Sequence, residues 1–230
     1  MKNIWFTSDP HYWHKNIAGP KVSSWKSGYR DFNDEVEMSR HIVKVWNQTV
    51  AEDDILYCLG DWCFQGKKNI WNFRKQLRCK NIHLVLGNHD EHIRKNIILP
   101  NVYQLLDDAD SHLCYLDNYT DECSAVYSHE IFSSVQEVKT VKHGQHTFFL
   151  SHYAHRIWHH SHKGVIHLYG HSHDSLDNSF GYSNDRAWGK SMDCGIDSAK
   201  RILGEYKPFS IEEIINIMNR RELKLVDRHS

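Results

Sequence analysis

Side chains that bind metals or move protons follow several short hydrophobic runs, at the point where each run ends. In chain order, the side chains with metal-ligating chemistry are Asp9, His11, Asp61, Asn88, His152, His171 and His173. Imidazole suits zinc, iron and similar first-row metals, whereas carboxylate and amide oxygens suit harder cations such as manganese. Seven ligands exceed the three or four protein ligands of one zinc site. If one carboxylate bridges, the set divides into four ligands for each of two metals.

Glycines and residue spacing support a shared site. Gly60, Gly87 and Gly170 each precede a candidate ligand, where the chain must leave a strand sharply. Glycine permits a positive φ and a close approach of the backbone at such positions. The members of the pairs Asp9–His11 and His171–His173 are two residues apart, so an extended segment would point both side chains the same way. We therefore expect the ligands to converge.

The runs that precede these residues predict strands of a buried sheet. Each run is five or six residues long, most are rich in β-branched and aromatic residues, and they are Ile4–Ser8, Ile55–Leu59, Ile82–Leu86, His146–Ser151, Val165–Tyr169 and Ser191–Gly195. Short apolar runs suit strands that are covered on both faces. Ligands of open α/β sheets bind beyond the carboxyl ends of the strands, so the polar side chains can meet in one crevice.

Helical patterns alternate with the early strands. Asp34 with Glu37, and Ser210 with Glu213, have the spacing of a capping box at a helix start. Apolar residues at helical spacing are Met38, Ile42 and Val45; Ile70, Phe73 and Leu77; Ile93 and Ile97; and Ile214, Ile215 and Met218. The third of these stripes is expected to stop near Pro100. Alternating strands and helices predict an α/β layered fold with sheet in the middle.

Composition narrows the class of protein. The chain has 230 residues, a length compatible with one large domain, and a formal net charge of -1. The near-neutral charge argues against a broad basic face for duplex DNA or anionic lipid. The N-terminal hydrophobic run is too short for a signal peptide, and no stretch approaches the length of about 20 apolar residues that spans a membrane. Six scattered cysteines without a C-x-x-C pair are typical of buried thiols in a reducing compartment, so we expect a cytoplasmic protein with no membrane contact.

Two stretches interrupt the pattern of strands and helices. Residues 107–122 are acidic, which predicts an irregular insertion or a small cap, and residues 176–190 are rich in turn residues. The expected organisation is a single domain over residues 1–230, with an insertion near 107–122 and an active-site loop near 176–190. An aromatic residue and an arginine in that loop could hold a nucleotide base, with an ordinary packed loop as the alternative. The residues concerned are Tyr182, Arg186 and Trp188.

Five short motifs, taken in order, resemble the signatures of the calcineurin-like metallophosphoesterase superfamily. They read SDPH, LGDW, LGNHD, LSHY and YGHSH, and their ligands span residues 9 to 173. Each motif alone is weak, but five in order at the ends of strand-like runs are specific. The stretches SDPHYWHKNI, HLYGHSH, MDCGID and PFSIEEI resemble a branch of compact bacterial and phage members. The resemblance implies a four-layer α/β/β/α sandwich of the metallophosphoesterase type.

The resemblance also implies a role for each ligand. One metal would be held by Asp9, His11, Asp61 and His173, and the second by Asn88, His152 and His171, with Asp61 bridging both. Two ions about 3.5–4 Å apart can activate a nucleophile and clamp the transition state, so a hydroxide between them would attack phosphorus in line. The expected cofactor is two divalent metal ions, with manganese first and iron, zinc, nickel or cobalt as alternatives.

The catalytic residues implied by the resemblance are Asp61 and His89. His89 would protonate the leaving oxygen or stabilise its charge, a role worth about 10²–10⁴ in rate. Asp90 would orient His89 or a metal ligand. The residues expected to contact the substrate are His14, Lys15, Asn88 and His89. A solvated helix start is the alternative for the first two.

Departures from wider family patterns narrow the function. Protein serine/threonine phosphatases read GDxxDRG where this chain reads GDWCFQG, and Trp62 cannot replace the tyrosine ligand of purple acid phosphatases. Similarity to the compact relatives favours a dinuclear metal-dependent phosphodiesterase that hydrolyses a small or nucleotide-like phosphodiester. The alternatives are a phosphomonoesterase or nucleotide phosphatase, a nuclease, and a non-catalytic scaffold. The expected partner is a phosphoester small molecule or nucleotide, extended nucleic acid is disfavoured, and the oligomeric state is open.

Overall fold

The computed structural model describes residues 2–95, 97–99, 126–176 and 189–223. The strands are β1 (Ile4–Thr7), β2 (Ile55–Cys58), β3 (Asn81–Val85), β4 (Ile97–Leu99), β5 (Val126–Tyr127), β6 (Ser134–Gln136), β7 (Val138–His143), β8 (His146–Ser151), β9 (Ile166–Tyr169), β10 (Ser191–Asp193) and β11 (Phe209–Ser210). The helices are α1 (Lys15–Ala18), α2 (Glu35–Thr49), α3 (Lys67–Gln76), α4 (Glu91–Arg94), α5 (Ser128–Ile131), α6 (Ile196–Leu203) and α7 (Ile211–Asn219), and Ser161–Lys163 form a 3₁₀ turn. Each of the six predicted runs corresponds to one of these strands, and β3 begins one residue before its predicted run.

The strands form two larger sheets and one small one. The first sheet has the order β11-β1-β2-β3-β6, and its strands are parallel except for β11. The second has the order β10-β9-β8-β7 and is parallel except for β7, which pairs with β8 as a hairpin. β4 and β5 form a separate antiparallel pair. The carboxyl ends of the parallel strands within each sheet therefore share an edge.

The two larger sheets pack face to face through alternate side chains of their strands. Phe6 of β1 is fully buried, and its ring lies 5.2 Å from that of Phe148 of β8. Tyr57 of the first sheet and Leu150 and Leu168 of the second belong to the same apolar cluster. Complete burial of a side chain such as that of Phe6 stabilises the fold by about 1.5–3 kcal/mol.

Helices α2 and α3 cover the outer face of the first sheet. The buried rings of Trp46 in α2 and Phe73 in α3 are 5.5 Å apart. Both belong to an apolar cluster with Leu56 and Ile82 of the sheet. The apolar stripes predicted for these helices therefore face the sheet, as their spacing requires.

A loop covers the outer face of the second sheet. His167 of β9 lies on this face, with Phe149 of β8 beside it at a ring distance of 5.3 Å. Trp158 and His155 pack on His167 at ring distances of 5.2 and 5.4 Å. The layers are thus helices, sheet, sheet, and a loop with its 3₁₀ turn. The predicted four-layer α/β sandwich with two stacked sheets is confirmed, and its fourth layer in the described residues is this loop with a 3₁₀ turn.

The two predicted helix starts differ in their caps. Ser210 Oγ accepts a hydrogen bond from Glu213 N, and the Glu213 carboxylate accepts one from Ser210 N, which completes a capping box. Asp34 likewise accepts from Glu37 N over 2.8 Å. The Glu37 carboxylate, however, accepts from the backbone N–H and the side-chain amide of Asn33. The second half of the predicted box at α2 is therefore wrong, because Asn33 offers this carboxylate two donors.

The third predicted helical stripe is shorter than expected. Helix α4 ends at Arg94, whereas Ile97 begins β4. The helix prediction is therefore wrong beyond Arg94. The run Ile97–Leu99 contains β-branched residues and stands before Pro100, and both features favour an extended backbone.

Other predictions on composition have mixed outcomes. Four of the six cysteines are free and buried in the described structure: Cys58, Cys63, Cys79 and Cys194. Among the described residues, no helix has the length and apolar character needed to cross a membrane. The predicted insertion at 107–122 lies outside the described residues, as do positions 177–188 of the predicted loop with Tyr182, Arg186 and Trp188.

His167 is a fully buried titratable group in the outer layer of the second sheet. Its Nδ1–H donates to Phe149 O over 3.1 Å, and its Nε2 accepts from His155 N over 3.0 Å. Burial lowers the pKa of His167 to about 4. The folded protein therefore holds a neutral ring at a pH where an unfolded histidine, with a pKa of about 6.5, is already protonated.

We predict that His167 makes the fold less stable in weak acid. Between about pH 6.5 and pH 4 the unfolded state binds a proton that the folded state does not, so the stabilisation is complete above this window and falls as the pH falls. Between pH 7 and pH 5 the loss attributable to this residue is about 2 kcal/mol. Urea unfolding at both pH values should show a smaller loss for His167→Gln than for the wild type. His143→Gln, at an exposed position of β7, is the control and should retain the wild-type loss.

Candidate metal centre

The loops after β1 and β2 run side by side beyond the ends of their strands. Asp9 N donates to Gly60 O over 3.0 Å, and His11 N donates to Asp61 O over 3.1 Å. The parallel pairing of β1 with β2 therefore continues into both loops. Backbone hydrogen bonds from the sheet thus position Asp9, His11 and Asp61 at one edge.

Most of the candidate ligands lie in the left-handed backbone region. Those with φ between 47° and 63° are Asp9, His11, Asp61, His171 and His173. This conformation costs a non-glycine residue about 1–2 kcal/mol, and such strain concentrates at functional sites. It also turns the chain sharply within one residue, which lets several residues of a short loop reach the same crevice.

Gly87 and Gly170 are required by close contacts. A Cβ on Gly87 would lie 2.2 Å from Asp61 Oδ1, and a Cβ on Gly170 would lie 2.3 Å from Asp9 Oδ2. Of the three glycines that precede candidate ligands, Gly60 has a positive φ, of 102°, and the other two do not. The close approach expected from the sequence therefore applies to all three, because Gly60 also packs against the backbone of Gly87.

Asp9, His11 and His173 form the first group of candidate ligands. The Nε2 atoms of His11 and His173 are 3.0 Å apart, and they lie 3.6 and 3.9 Å from Asp9 Oδ1. Asp9 Oδ1 is buried and has no hydrogen-bond partner. Two atoms bound to one cation at about 2.1 Å are about 3.0–3.4 Å apart. The two Nε2 atoms have this separation, and Asp9 Oδ1 lies slightly farther from both.

Asp61, His152 and His171 form the second group, and Asn88 lies against it. Asn88 Oδ1 is 2.9 Å from His152 Nε2 and 2.9 Å from His171 Nδ1. His152 Nδ1–H donates to Leu59 O over 2.7 Å, so the neutral ring keeps its lone pair on Nε2. Lone pairs of Asn88 and His152 therefore face each other, an arrangement that a cation stabilises.

Asp61 lies between the two groups. Its Oδ2 atom is 3.6 Å from His11 Nε2, and its Oδ1 atom is 3.6 Å from His152 Nε2. The backbone N–H of His89 donates to Oδ1 over 2.9 Å and holds the carboxylate in place. One oxygen faces each group, as a bridging ligand requires.

Protonation of the first group suits cation binding. Burial acts to raise the pKa of Asp9, but the adjacent imidazoles of His11 and His173 outweigh it, so the pKa lies below its usual value. Burial lowers the pKa of His11 to about 3. At neutral pH, Asp9 is therefore ionised and His11 carries a free lone pair, which are the forms that bind metals.

The donors of both groups fit two divalent cations. Imidazole nitrogens mixed with carboxylate and amide oxygens suit first-row metals, and the facing lone pairs and the orphaned carboxylate oxygen need a positive partner. The structure brings together all seven residues predicted as ligands, and their individual roles stay predictions.

Asp197, itself bound by Arg30, contacts the His173 ring on the side opposite the first group. His173 Nδ1–H donates to Asp197 Oδ2 over 2.8 Å, which leaves Nε2 for the first group. Arg30 is buried, donates to both carboxylate oxygens of Asp197, and also donates to the carbonyl oxygens of Asp9 and Pro10. Burial acts to raise the pKa of Asp197, but the adjacent Arg30 holds it well below its usual range. An ionised Asp197 fixes the orientation of the His173 ring and increases its basicity as a ligand.

Asp90 holds the backbone around the second group. Its carboxylate accepts hydrogen bonds from the N–H groups of Asp61, Trp62 and Gly87 over 2.8–3.0 Å. Burial raises the pKa of Asp90 to about 6, although these hydrogen bonds act against the shift. Of the two predicted roles, the hydrogen bonds favour orientation of the ligand Asp61 over orientation of the His89 ring.

Asp193 holds the loop that carries the last two candidate ligands. It accepts from Ser172 Oγ over 2.5 Å, from Asp174 N over 3.0 Å and from Gly195 N over 2.7 Å. Burial, and next the charge of Asp9, raise the pKa of Asp193 to about 7. Ser172 stands between His171 and His173, so these contacts position both imidazoles.

An open cleft of about 310 Å³ lies over the two groups. Besides ligand residues, its lining comprises His14, Ile17, Trp25, Phe64 and His89. Of the residues predicted to contact substrate, three therefore line the cleft, and Lys15 does not: its side chain is exposed on α1.

Residues 2–204 match the family model of calcineurin-like phosphoesterases. The chain belongs to this family. The uncharacterised protein MJ1445 of Methanocaldococcus jannaschii is 33 % identical over 109 residues, which cover 46 % of this chain and 57 % of that protein. The gene 66 protein of Mycobacterium phage D29 is 30 % identical over 95 residues, 39 % of this chain and 41 % of that protein. This calcineurin-like phosphoesterase thus matches about half of the length of these relatives.

The fold of this calcineurin-like phosphoesterase also occurs in a solved structure. It matches the crystal structure of the protein of unknown function AQ665 from Aquifex aeolicus with a TM-score of 0.55. The match covers 94 % of this chain and 100 % of that one, at 19 % sequence identity. The likeness concerns the fold.

Several residues around the centre had no assigned role in the sequence. They are Trp25, Arg30, Phe64, Asp193 and Asp197. The stretch MDCGID, which contains the last two, was one signal of the family resemblance. The spacing of the two carboxylates did not indicate that Asp193 holds the loop of the motif YGHSH or that Asp197 orients the ring of His173.

We predict that Asp197→Asn weakens one of two manganese sites. The neutral amide cannot orient and polarise His173 as a carboxylate does, so affinity at the first group should fall about 10–100-fold, the usual cost of losing such a partner. Titration of metal-stripped protein with manganese, followed by the electron paramagnetic resonance of free Mn²⁺, measures both affinities, and circular dichroism checks the fold. Glu212→Gln removes the same charge from an exposed position of α7 and should bind like the wild type. Equal affinities for Asp197→Asn and wild type would contradict this role.

Proposed function

We propose that this calcineurin-like phosphoesterase is a metal-dependent phosphodiesterase that hydrolyses a small or nucleotide-like phosphodiester. The observation that carries the proposal is a pair of ligand groups that share Asp61 beneath an open cleft. When bound, two divalent cations supply stabilisation of charge on phosphate oxygens and a lower pKa for water. The residues proposed to hold them are Asp9, His11, Asp61, Asn88, His152, His171 and His173.

His89 is the proposed proton donor to the leaving oxygen. Its side chain is exposed and lines the cleft, and its ring lies 4.6 Å from Phe64 and 6.0 Å from His11. Its backbone N–H is bound to Asp61 Oδ1, so its position is tied to the carboxylate that faces both groups. His89 would therefore stand beside a phosphate bound over the two groups without being a member of either.

The charge of the cleft favours a diester over a monoester. Among the described residues, the lining contains no lysine or arginine. A phosphodiester carries one negative charge at neutral pH, whereas a monoester carries nearly two because its second pKa is about 6. Without a lysine or arginine to pair with the additional charge, the cleft suits the diester better. The same composition disfavours extended nucleic acid, whose binding depends on many cationic contacts.

A cytoplasmic location and manganese as the native metal stay predictions. The described structure gives free buried cysteines and donors that fit several first-row metals. Metal analysis of protein purified without chelators would identify the metals.

We predict faster hydrolysis of a diester than of a monoester with the same leaving group. Metal-stripped protein is reloaded with manganese, and nitrophenol release is followed from bis(4-nitrophenyl) phosphate and from 4-nitrophenyl phosphate. The ratio of kcat/KM values should favour the diester about tenfold. This ratio corresponds to an activation free energy about 1.4 kcal/mol lower than that of the monoester, whose additional charge has no partner in the cleft. Faster monoester cleavage would make a phosphomonoesterase the better assignment. Manganese uptake without turnover of either ester would support a scaffold, and oligonucleotide cleavage that weakens steeply with salt would indicate a nuclease.

We predict that His89→Ala separates turnover from metal binding. Loss of a general acid should lower kcat about 10²–10⁴-fold for a diester with an alkyl leaving group, which needs protonation to depart, whereas two manganese ions per chain should remain. His92→Ala removes an exposed histidine three residues further along, outside the cleft lining, and should keep wild-type turnover. Wild-type kcat in His89→Ala would disprove the proposed proton transfer.

A further inference from the structure

One wall of the cleft is built from stacked aromatic rings. The imidazole of His14 lies parallel to the ring of Phe64, with centroids 3.7 Å apart and an interplanar angle of 5°. The indole of Trp25 meets His14 edge-on at 5.4 Å. These three residues, called here the aromatic wall, come from the loops after β1, β2 and α1.

The aromatic wall adjoins the proposed position of the phosphate. Phe64 lies 5.1 Å from His11 of the first ligand group and 4.6 Å from His89, measured between ring centroids. His14 lies 5.3 Å from His11. A phosphoryl group held over the ligand groups would therefore place an attached organic group directly against this wall.

The exposure of the aromatic wall suits a ligand. Trp25 is 44 % exposed, so its indole ring is accessible to a ligand in the cleft. His14 Nδ1 is buried and has no hydrogen-bond partner. The wall thus offers an accessible aromatic ring beside the candidate ligands, and aromatic side chains are typical of the lining of small-molecule sites.

The remaining lining leaves little else to recognise an ester group. Apart from the aromatic wall, the candidate ligands and His89, the described lining adds only Ile17, which is buried. Outside the candidate ligands, the described lining has no lysine, arginine or carboxylate to bind a polyphosphate or a polyol. Stacking is therefore the main interaction that the described lining can offer beyond the phosphate.

We propose that the aromatic wall binds a planar aromatic ring, of aryl or nucleobase type, carried by the phosphoester substrate. This proposal rests on the proposed function and adds the chemical class of the ester group. The cleft volume, about 310 Å³, is at the lower end of the range for small-molecule sites, which favours a compact ester. Phe64 and Trp25 are the specificity-determining residues, and His14 supports the Phe64 ring by stacking on it.

The test measures binding of non-hydrolysable ligands, so that it does not depend on turnover. Phenylphosphonate and methylphosphonate share one anionic group and differ in the ring. Calorimetric titration of manganese-loaded protein should show phenylphosphonate binding roughly tenfold more tightly, within the range that aromatic stacking supplies. Phe64→Leu and Trp25→Leu should each reduce this ratio at least threefold. Tyr29→Leu is the control, because it removes an exposed aromatic residue that is not part of the lining, and its ratio should equal that of the wild type.

A second pair of ligands identifies the kind of ring. Adenosine 5′-monophosphate and ribose 5-phosphate carry the same phosphate with and without a base. Their competition with bound phenylphosphonate therefore measures the contribution of the base. A preference for the nucleotide that falls in Trp25→Leu supports a nucleobase, whereas a preference only within the phosphonate pair supports an aryl group.

The outcomes separate this proposal from the proposed function. Equal binding of both phosphonates, or ratios unchanged in both leucine variants, would overturn the aromatic wall while diester hydrolysis stands. Protein that takes up no manganese, binds neither phosphonate and hydrolyses neither nitrophenyl ester would overturn both. Trp25→Leu changes a half-exposed side chain and should fold. If Phe64→Leu does not fold, the binding ratio of Trp25→Leu alone decides whether the aromatic wall binds the ring.

Discussion

The site concentrates buried carboxylates, and hydrogen-bond donors from the surrounding structure offset the cost of burying them. Four carboxylates around one crevice are at most 2 % exposed: Asp9, Asp61, Asp90 and Asp193. Leaving a charge buried and unpaired costs several kcal/mol. Asp90 and Asp193 satisfy their oxygens mainly with backbone N–H groups, and in doing so they hold the ligand loops. Asp9 and Asp61 turn oxygens toward imidazole nitrogens instead, which leaves room for cations. Cation binding and the stability of these loops are therefore coupled.

The sheet edge and its polar residues could be predicted because local sequence carries that information. Buried parallel strands need apolar residues on both faces, so each run ends visibly where its polar residues begin. Strand β7 (Val138–His143) has mostly exposed residues, and it is a strand because it pairs with β8. Ile97 joins a strand through pairing with β5, although its spacing from Ile93 is helical. In both cases a partner elsewhere in the chain decides the local structure, and a local pattern cannot show this.

The candidate ligands were predictable by type and order, whereas their support was not. Arg30 and Asp197 are 167 residues apart in the chain, and neither lies in a motif that suggests the other. The left-handed conformation of His11 or His173 has only a weak signal in residue type, because histidine is enriched in it but adopts it mainly where surrounding contacts impose it. In the sequence, Phe64 and Trp25 have no feature that distinguishes them from ordinary loop residues. Only the fold shows that both line one cleft.

The position of the aromatic wall has a consequence for how such proteins diverge. The candidate ligands stand at strand ends, where backbone pairing and sharply turned residues restrict which side chains fit. Trp25 belongs to the connection between α1 and α2, and Phe64 to the one between β2 and α3, and neither is a candidate ligand. The proposed hydrolytic chemistry and the proposed recognition of the substrate therefore depend on different residues. On these proposals, changes at two loop positions would alter the substrate and leave the candidate ligands in place.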